Sequence, residues 1–154
     1  MVELLVTLAI LGILSTLAAP SFTSLIERWR VGQSISDLES TLYYARSEGI
    51  KRGGGVALQR APSCSAKQWE CGWNLVDASG NIIQTHPALN GVTLTTTTST
   101  DDDIFFDRWG AISTSSSTQF SWTAKASRQG SSVIQALCVA AGAKLHINKA
   151  GSTC

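Results

Sequence analysis

Between Glu3 and Glu27 the chain carries no charged side chain. A helix rising about 1.5 Å per residue needs about 20 predominantly apolar residues to cross the hydrocarbon of a bilayer, and Leu4 to Ile26 runs about 23 residues without a charge. The stretch Met1 to Ile26, MVELLVTLAILGILSTLAAPSFTSLI, therefore predicts a membrane helix. It is a poor secretory signal, because no basic residue precedes the run and no small-residue cleavage site followed by soluble chain closes it. Glu3 is the anomaly. A carboxylate near the start of a lipid-facing helix costs several kcal/mol unless something neutralises it, so this acid asks for a partner of opposite charge.

Beyond Pro20, which removes one backbone donor and is expected to kink or loosen the helix, the helical pattern continues. Leu25, Trp29, Ile35, Leu38, Leu42, Ala45 and Gly49 recur at spacings of mostly three and four, while Glu27, Arg28, Arg30, Gln33, Asp37, Glu39, Arg46 and Glu48 take the other faces. One helix thus serves two environments. Gly49 and the run Gly53-Gly54-Gly55 are expected to end it. Three segments follow: a membrane and assembly helix over 1–25, an amphipathic continuation over 26–52, and a β-rich globular domain over 53–154.

The last segment shows no helical period. Strands are expected over Val56–Ala61, Trp73–Ala78, Ile82–Thr85, Val92–Thr98, Ile104–Trp109, Gln119–Lys125, Ser132–Ala140 and Lys144–Asn148. Ser79-Gly80-Asn81 turns one hairpin, and Gly110 with Ala111-Ile112 turns a second. The weakly apolar Val92–Thr98 reads as an edge strand. The fold class is α+β, with the C-terminal half of the helix packed on an antiparallel sheet or pair of sheets so that both apolar faces are buried.

An acid followed by LLVTLAILGIL, then Ala19-Pro20 and a continuing amphipathic helix, closely resembles the N-terminus of type IV pilins and of the pseudopilins of type II secretion. In that family the glutamate is the fifth residue after the peptidase cut, and its carboxylate pairs with the N-terminal amine of a neighbouring subunit. Glu3 is the matching acid, which places Met1 about two residues past the cut and leaves the leader outside the sequence. Cys71-Gly72-Trp73-Asn74-Leu75-Val76-Asp77-Ala78-Ser79-Gly80-Asn81 is similar to a hairpin of the GspH/FimT/FimU branch of minor pilins. Ile104-Phe105-Phe106-Asp107-Arg108-Trp109-Gly110 is similar to that branch's second strand and turn.

The resemblance implies the pilin fold and a structural subunit, with no catalytic residue and no cofactor. Such a subunit primes or caps a type IV pilus or a type II secretion pseudopilus. Its partners would be other major and minor pilins or pseudopilins, the inner membrane and a prepilin peptidase acting on the leader. Before assembly it would cross the inner membrane once with its domain periplasmic. Afterwards it would lie in the pilus or pseudopilus.

Cys64, Cys71, Cys138 and Cys154 suit an oxidising compartment. They permit three pairings, and spacing alone does not choose among them. The favoured arrangement joins Cys64 to Cys71, closing a short loop, and Cys138 to Cys154, tying the last residue to the domain. A zinc site lacks any C-x-x-C pair, and neither His86 nor His146 stands in a nucleophile motif. Asp101-Asp102-Asp103 with Asp107 lacks EF-hand spacing and reads as a solvated loop rather than a calcium site.

The net charge is +1, which excludes wholesale coating of nucleic acid, yet no acid follows Asp107. Lys125, Arg128, Lys144, His146 and Lys149 are the candidates for a phosphate surface. FimT-like relatives are associated with capturing DNA in natural transformation through a G-R-x-R motif. Here the corresponding place reads Gly142-Ala143-Lys144-Leu145-His146, without either arginine, so a DNA receptor at a pilus tip is the alternative function rather than the first. Trp69, Trp73, Trp109 and Trp122 are better read as core than as base-stacking platforms.

Overall fold

Helix α1 (Val2–Arg52) takes up the first third of the chain. The computed structural model describes residues 2–154 apart from 66, 99–102, 116, 141–142 and 150–153, and for residues 16–21 it describes the backbone alone. The helical backbone continues through position 20; the Pro20 side chain lies outside the described residues. Gly53 N donates to Ile50 O at 3.3 Å and Gly54 N to Gly49 O at 2.7 Å. With Gly53 at φ 78°, these bonds close the helix as a left-handed glycine cap.

Gly49 does not terminate the helix, contrary to the sequence reading. It lies inside the last turns, where a Cβ would stand 3.0 Å from Phe106 Cβ and 3.3 Å from Asp107 O. Its role is to let a strand end approach closely.

The buried stripe of α1 is Glu27, Val31, Ser34, Ile35, Leu38, Thr41, Leu42, Ala45 and Glu48. This corrects the expected stripe at four places: Leu25 and Trp29 are exposed, Trp29 by 67%, while Glu27 and Glu48 are buried. The gap of six residues between Trp29 and Ile35 conceals a change of phase. Trp29 lies about 200° around the axis from Val31, whereas Glu27 lies one turn below it on the same face.

Among the described residues nine strands follow: β1 (Val56–Arg60), β2 (Trp73–Val76), β3 (Ile82–His86), β4 (Val92–Thr96), β5 (Ile104–Phe106), β6 (Ile112–Thr114), β7 (Phe120–Ala126), β8 (Ile134–Ala140) and β9 (Lys144–Asn148). They form two antiparallel sheets, one in the order β3-β2-β1-β5-β6 and the other β4-β7-β8-β9. β4 is an edge strand. β5 stops three residues short of the expected Trp109 because Asp107 opens a turn.

Both turns expected from the sequence use one construction. Asp77 Oδ1 accepts from the backbone of Ser79 and Asn81, each at 2.9 Å, and Asp107 Oδ1 accepts from Trp109 and Ala111, each at 2.8 Å. Gly80 and Gly110 hold φ of 80° and 78° at the equivalent position. The aspartate replaces the hydrogen bonds that the ladder loses at the bend.

The core lies between α1 and the two sheets, filled by Trp69, Trp73, Trp122, Phe106, Leu58, Leu75, Leu94 and Leu137. Trp69 belongs to the loop between β1 and β2, yet it packs edge-on against Trp122 of the other sheet at 5.6 Å. Its backbone N–H donates to Leu94 O at 2.7 Å, and Gln68 bridges Thr95. This loop joins the sheets, and the Cys64–Cys71 disulfide closes it. Cys138 of β8 is bonded to Cys154.

Trp109 departs from the expected core position: it is 84% exposed at the tip of the β5–β6 turn, where the bend aims its side chain away from the sheet.

Candidate functional site

The first turns of α1 present apolar side chains to solvent on every face. Val2, Leu4, Leu5, Val6, Leu8, Ile10, Leu11, Ile13 and Leu14 are all exposed, and so are Phe22, Leu25 and Ile26 after the stretch whose side chains are not described. A soluble monomer does not ordinarily leave such a continuous surface open; it marks a place where lipid or protein is to be met. Glu3 is exposed within it. Among the described residues no helix is long and apolar enough to cross a membrane. The expected span depends in part on residues 16–21, whose side chains lie outside those described.

Where the apolar run stops, the globular domain begins with a cluster of cations. Arg128 donates through Nε to the Glu27 carboxylate, and Ser131 Oγ donates to the same group at 2.8 Å. These bonds hold the Glu27 carboxyl below its ordinary range, with the Arg128 bond the largest cause and the Ser131 bond next. Arg30 lies against Gly91, where a Cβ would come within 2.8 Å of its Nη1. On the other flank, Arg28 and Lys149 both line a groove of about 320 Å³, together with Ser132 and Gln135.

The five candidate phosphate-binding residues are not brought together. Arg128 is committed to Glu27. Lys149 stands beside α1. Lys125 pairs with Ile134 and Lys144 with Ala140, at opposite ends of β8, which places them roughly 20 Å apart at about 3.3 Å per residue. Lys144 and His146 are exposed on β9 and share one face by the alternation of the strand. Gly142, at the head of the motif, lies outside the described residues. Ala143 at φ 60° shapes the turn into β9, and its carbonyl accepts from Arg46 of α1.

The acidic loop is only partly described, since Asp101 and Asp102 fall outside the described residues. Asp103 accepts from Gln59 Nε2 at 2.7 Å and Asp107 serves its own turn. Among the described residues no group of three His, Cys, Asp or Glu side chains could hold a metal ion. His86 stacks on Trp73 at 4.1 Å and faces Asp37 at 3.5 Å, an arrangement that packs the indole.

Sequence reasoning missed Arg28, Arg30 and the burial of Glu27. The signal was present in Glu27-Arg28-Trp29-Arg30, a block of charge and aromatic placed directly after the apolar run.

Residues 34–143 match the protein family described as type II transport protein GspH. Two crystal forms of the type IV minor pilin FimU from Pseudomonas aeruginosa strain PAO1 share the fold. The hexagonal form aligns with a TM-score of 0.60 at 18% identity, covering 76% of this chain and 91% of that one. The monoclinic form gives 0.63 at 18% identity, covering 79% and 90%. No curated protein matches the chain in sequence.

Proposed function

The chain belongs to the type II transport protein GspH family, and from that premise we propose that it is a minor pilin or pseudopilin subunit that primes or caps assembly of a pilus or pseudopilus. The observation that carries the reading is the exposed apolar rod of α1 with Glu3 inside it. Helices of this kind bury their surface first in the inner membrane and then against one another. Head-to-tail contacts of that sort do not close, so they build helical filaments. Glu3 sets the register. In a low-dielectric bundle its carboxylate requires the N-terminal amine of a neighbouring subunit, and a subunit placed one turn away leaves both charges unpaired.

The chain itself performs no chemistry in this reading. A prepilin peptidase releases the mature N-terminus, the domain faces the periplasm, and the disulfides form there. Lys144 and His146 on β9 are what support the second reading, a DNA receptor at a pilus tip, and they are the weaker support because the remaining cations point elsewhere.

Replacing Glu3 with Leu tests the assembly role. Glu3→Leu chain is expected to reach the membrane and keep the thermal unfolding of the native domain, yet to be absent from sheared filaments and from cross-linked complexes with other pilins. Normal incorporation of that variant would overturn the proposal.

A further inference from the structure

We propose that the end of the globular domain nearest the bilayer binds anionic phospholipid headgroups, with the groove between Arg28 and Lys149 as the headgroup site. The inference rests on the reading of Leu4–Ile26 as a membrane-inserted segment. At about 1.5 Å per residue that segment is about 35 Å long, against about 30 Å of hydrocarbon, so the residues directly after Ile26 stand at headgroup level. Trp29 is there, 67% exposed at the rim of a hollow that it lines with Pro87 and Leu89. Tryptophan favours this interfacial depth because its ring is apolar and its N–H is not.

Glu27 is hydrogen-bonded by Arg128 and Ser131 and is also acted on by the charge of Arg30, which leaves Arg28 and Lys149 without a hydrogen bond to that carboxylate. Among the described residues no acid lines the groove of about 320 Å³ that Arg28 and Lys149 share. Ser132 and Gln135 add neutral hydrogen-bonding groups, and the Gln135 amide nitrogen lies 4.0 Å from where a Gly32 Cβ would stand, which sets it against α1 beside the groove. Two cations with neutral donors match a phosphodiester and its glycerol hydroxyls.

The consequence is orientation. A domain held by its basic end lies on the leaflet with α1 upright, and each headgroup contact is released when the subunit moves into a filament. Attraction of basic side chains to an anionic surface is worth about fivefold in affinity per residue.

The test uses the full chain in micelles containing phosphatidylglycerol or phosphatidylcholine, with bound lipid counted by native mass spectrometry. Phosphatidylglycerol is expected to bind at least about tenfold more tightly. Arg28→Ala with Lys149→Ala, both at exposed positions, is expected to bring the two lipids within about twofold, while Arg108→Ala at the opposite end keeps the preference. Equal affinity for the two lipids overturns the proposal, as does a preference that survives the double substitution. Displacement of the lipid by an equal concentration of inorganic phosphate or of a short DNA duplex would also overturn it, in favour of a general anion site or a nucleic-acid surface. Alkaline extraction from vesicles separates the two levels. Release of the chain removes the membrane reading and this inference together, whereas an integrated chain with no lipid preference removes only this inference.

Discussion

Arg128 and Glu27 stand 101 positions apart in sequence and are joined by a direct hydrogen bond from Nε to the carboxylate. The bond ties the loop between β7 and β8 to the helix at the point where it enters the domain. The Glu27 carboxyl is held below its ordinary range by Arg128 first and Ser131 second. A depressed carboxyl contributes stability that is fully present above its unfolded value, about 4.3, and is lost as pH falls through the folded value. Glu48, held down chiefly by Arg52, and Asp77, held down chiefly by Asn81, act in the same direction. Thermal unfolding from neutral pH downward is therefore expected to show a falling melting temperature below about pH 4.5. Glu27→Gln should start less stable and fall less steeply. Parallel curves for the two proteins would show that the carboxylate is not the linked group.

Trp73 Nε1 donates to Thr41 Oγ1 at 3.2 Å, a buried bond between β2 and α1. Thr41→Val keeps the shape and removes the acceptor, leaving an indole N–H without a partner in the core. The cost is expected at about 1–3 kcal/mol in urea unfolding, the usual penalty for an unsatisfied buried donor. Thr41→Ser, which keeps the hydroxyl, should cost less than Thr41→Val. If valine proves the milder change, the hydrogen bond contributes little and packing alone holds the indole.

Gly72 and Gly80 both have positive φ, at 102° and 80°, but only one is crowded. A Cβ on Gly72 would meet His86 O at 2.3 Å and Pro87 C at 3.0 Å, whereas nothing lies within 4 Å of one on Gly80. Gly80→Ala is expected to cost about 1–2 kcal/mol, the backbone term alone. Gly72→Ala must also push β2 away from the start of the β3–β4 loop and is expected to exceed about 4 kcal/mol, enough to abolish accumulation of folded protein. Comparable stabilities for the two variants would contradict the crowding.

What the sequence disclosed was what local physics decides. Alternation fixed the strands to within about two residues at most ends, and Asp77-x-x-Gly80 announced a turn because aspartate and glycine are the residues that such a bend needs. The phase of α1 was misread at Trp29 because an apolar residue at a helical spacing looks buried whatever covers it. Glu27 was misread for the opposite reason: its partner is in a loop far along the chain, and no local pattern carries that contact. Trp109 failed similarly, since strand alternation cannot tell a side chain in the ladder from one at the tip of its turn. The candidate site divides along the same line. The apolar rod and Glu3 were legible from charge spacing alone, while the groove between Arg28 and Lys149 exists only because the end of β9 returns beside the start of β8, which packs on the helix.

The dispersal of the C-terminal cations sets an expectation for DNA. Each phosphate neutralised contributes about −0.9 to the slope of log K against log salt. Lys144 and His146 on β9 can reach one backbone together, whereas Lys125 is roughly 20 Å away along β8 and Arg128 is held by Glu27. Titration of the full chain in neutral detergent with a short duplex should therefore show either no binding at low ionic strength or a slope of about −2 at most. Within that limit Lys144→Ala should flatten the slope by about 1, and Lys125→Ala should leave it unchanged. A slope steeper than about −4 would require a surface on which cations converge, and would favour the receptor reading over that of a purely structural subunit.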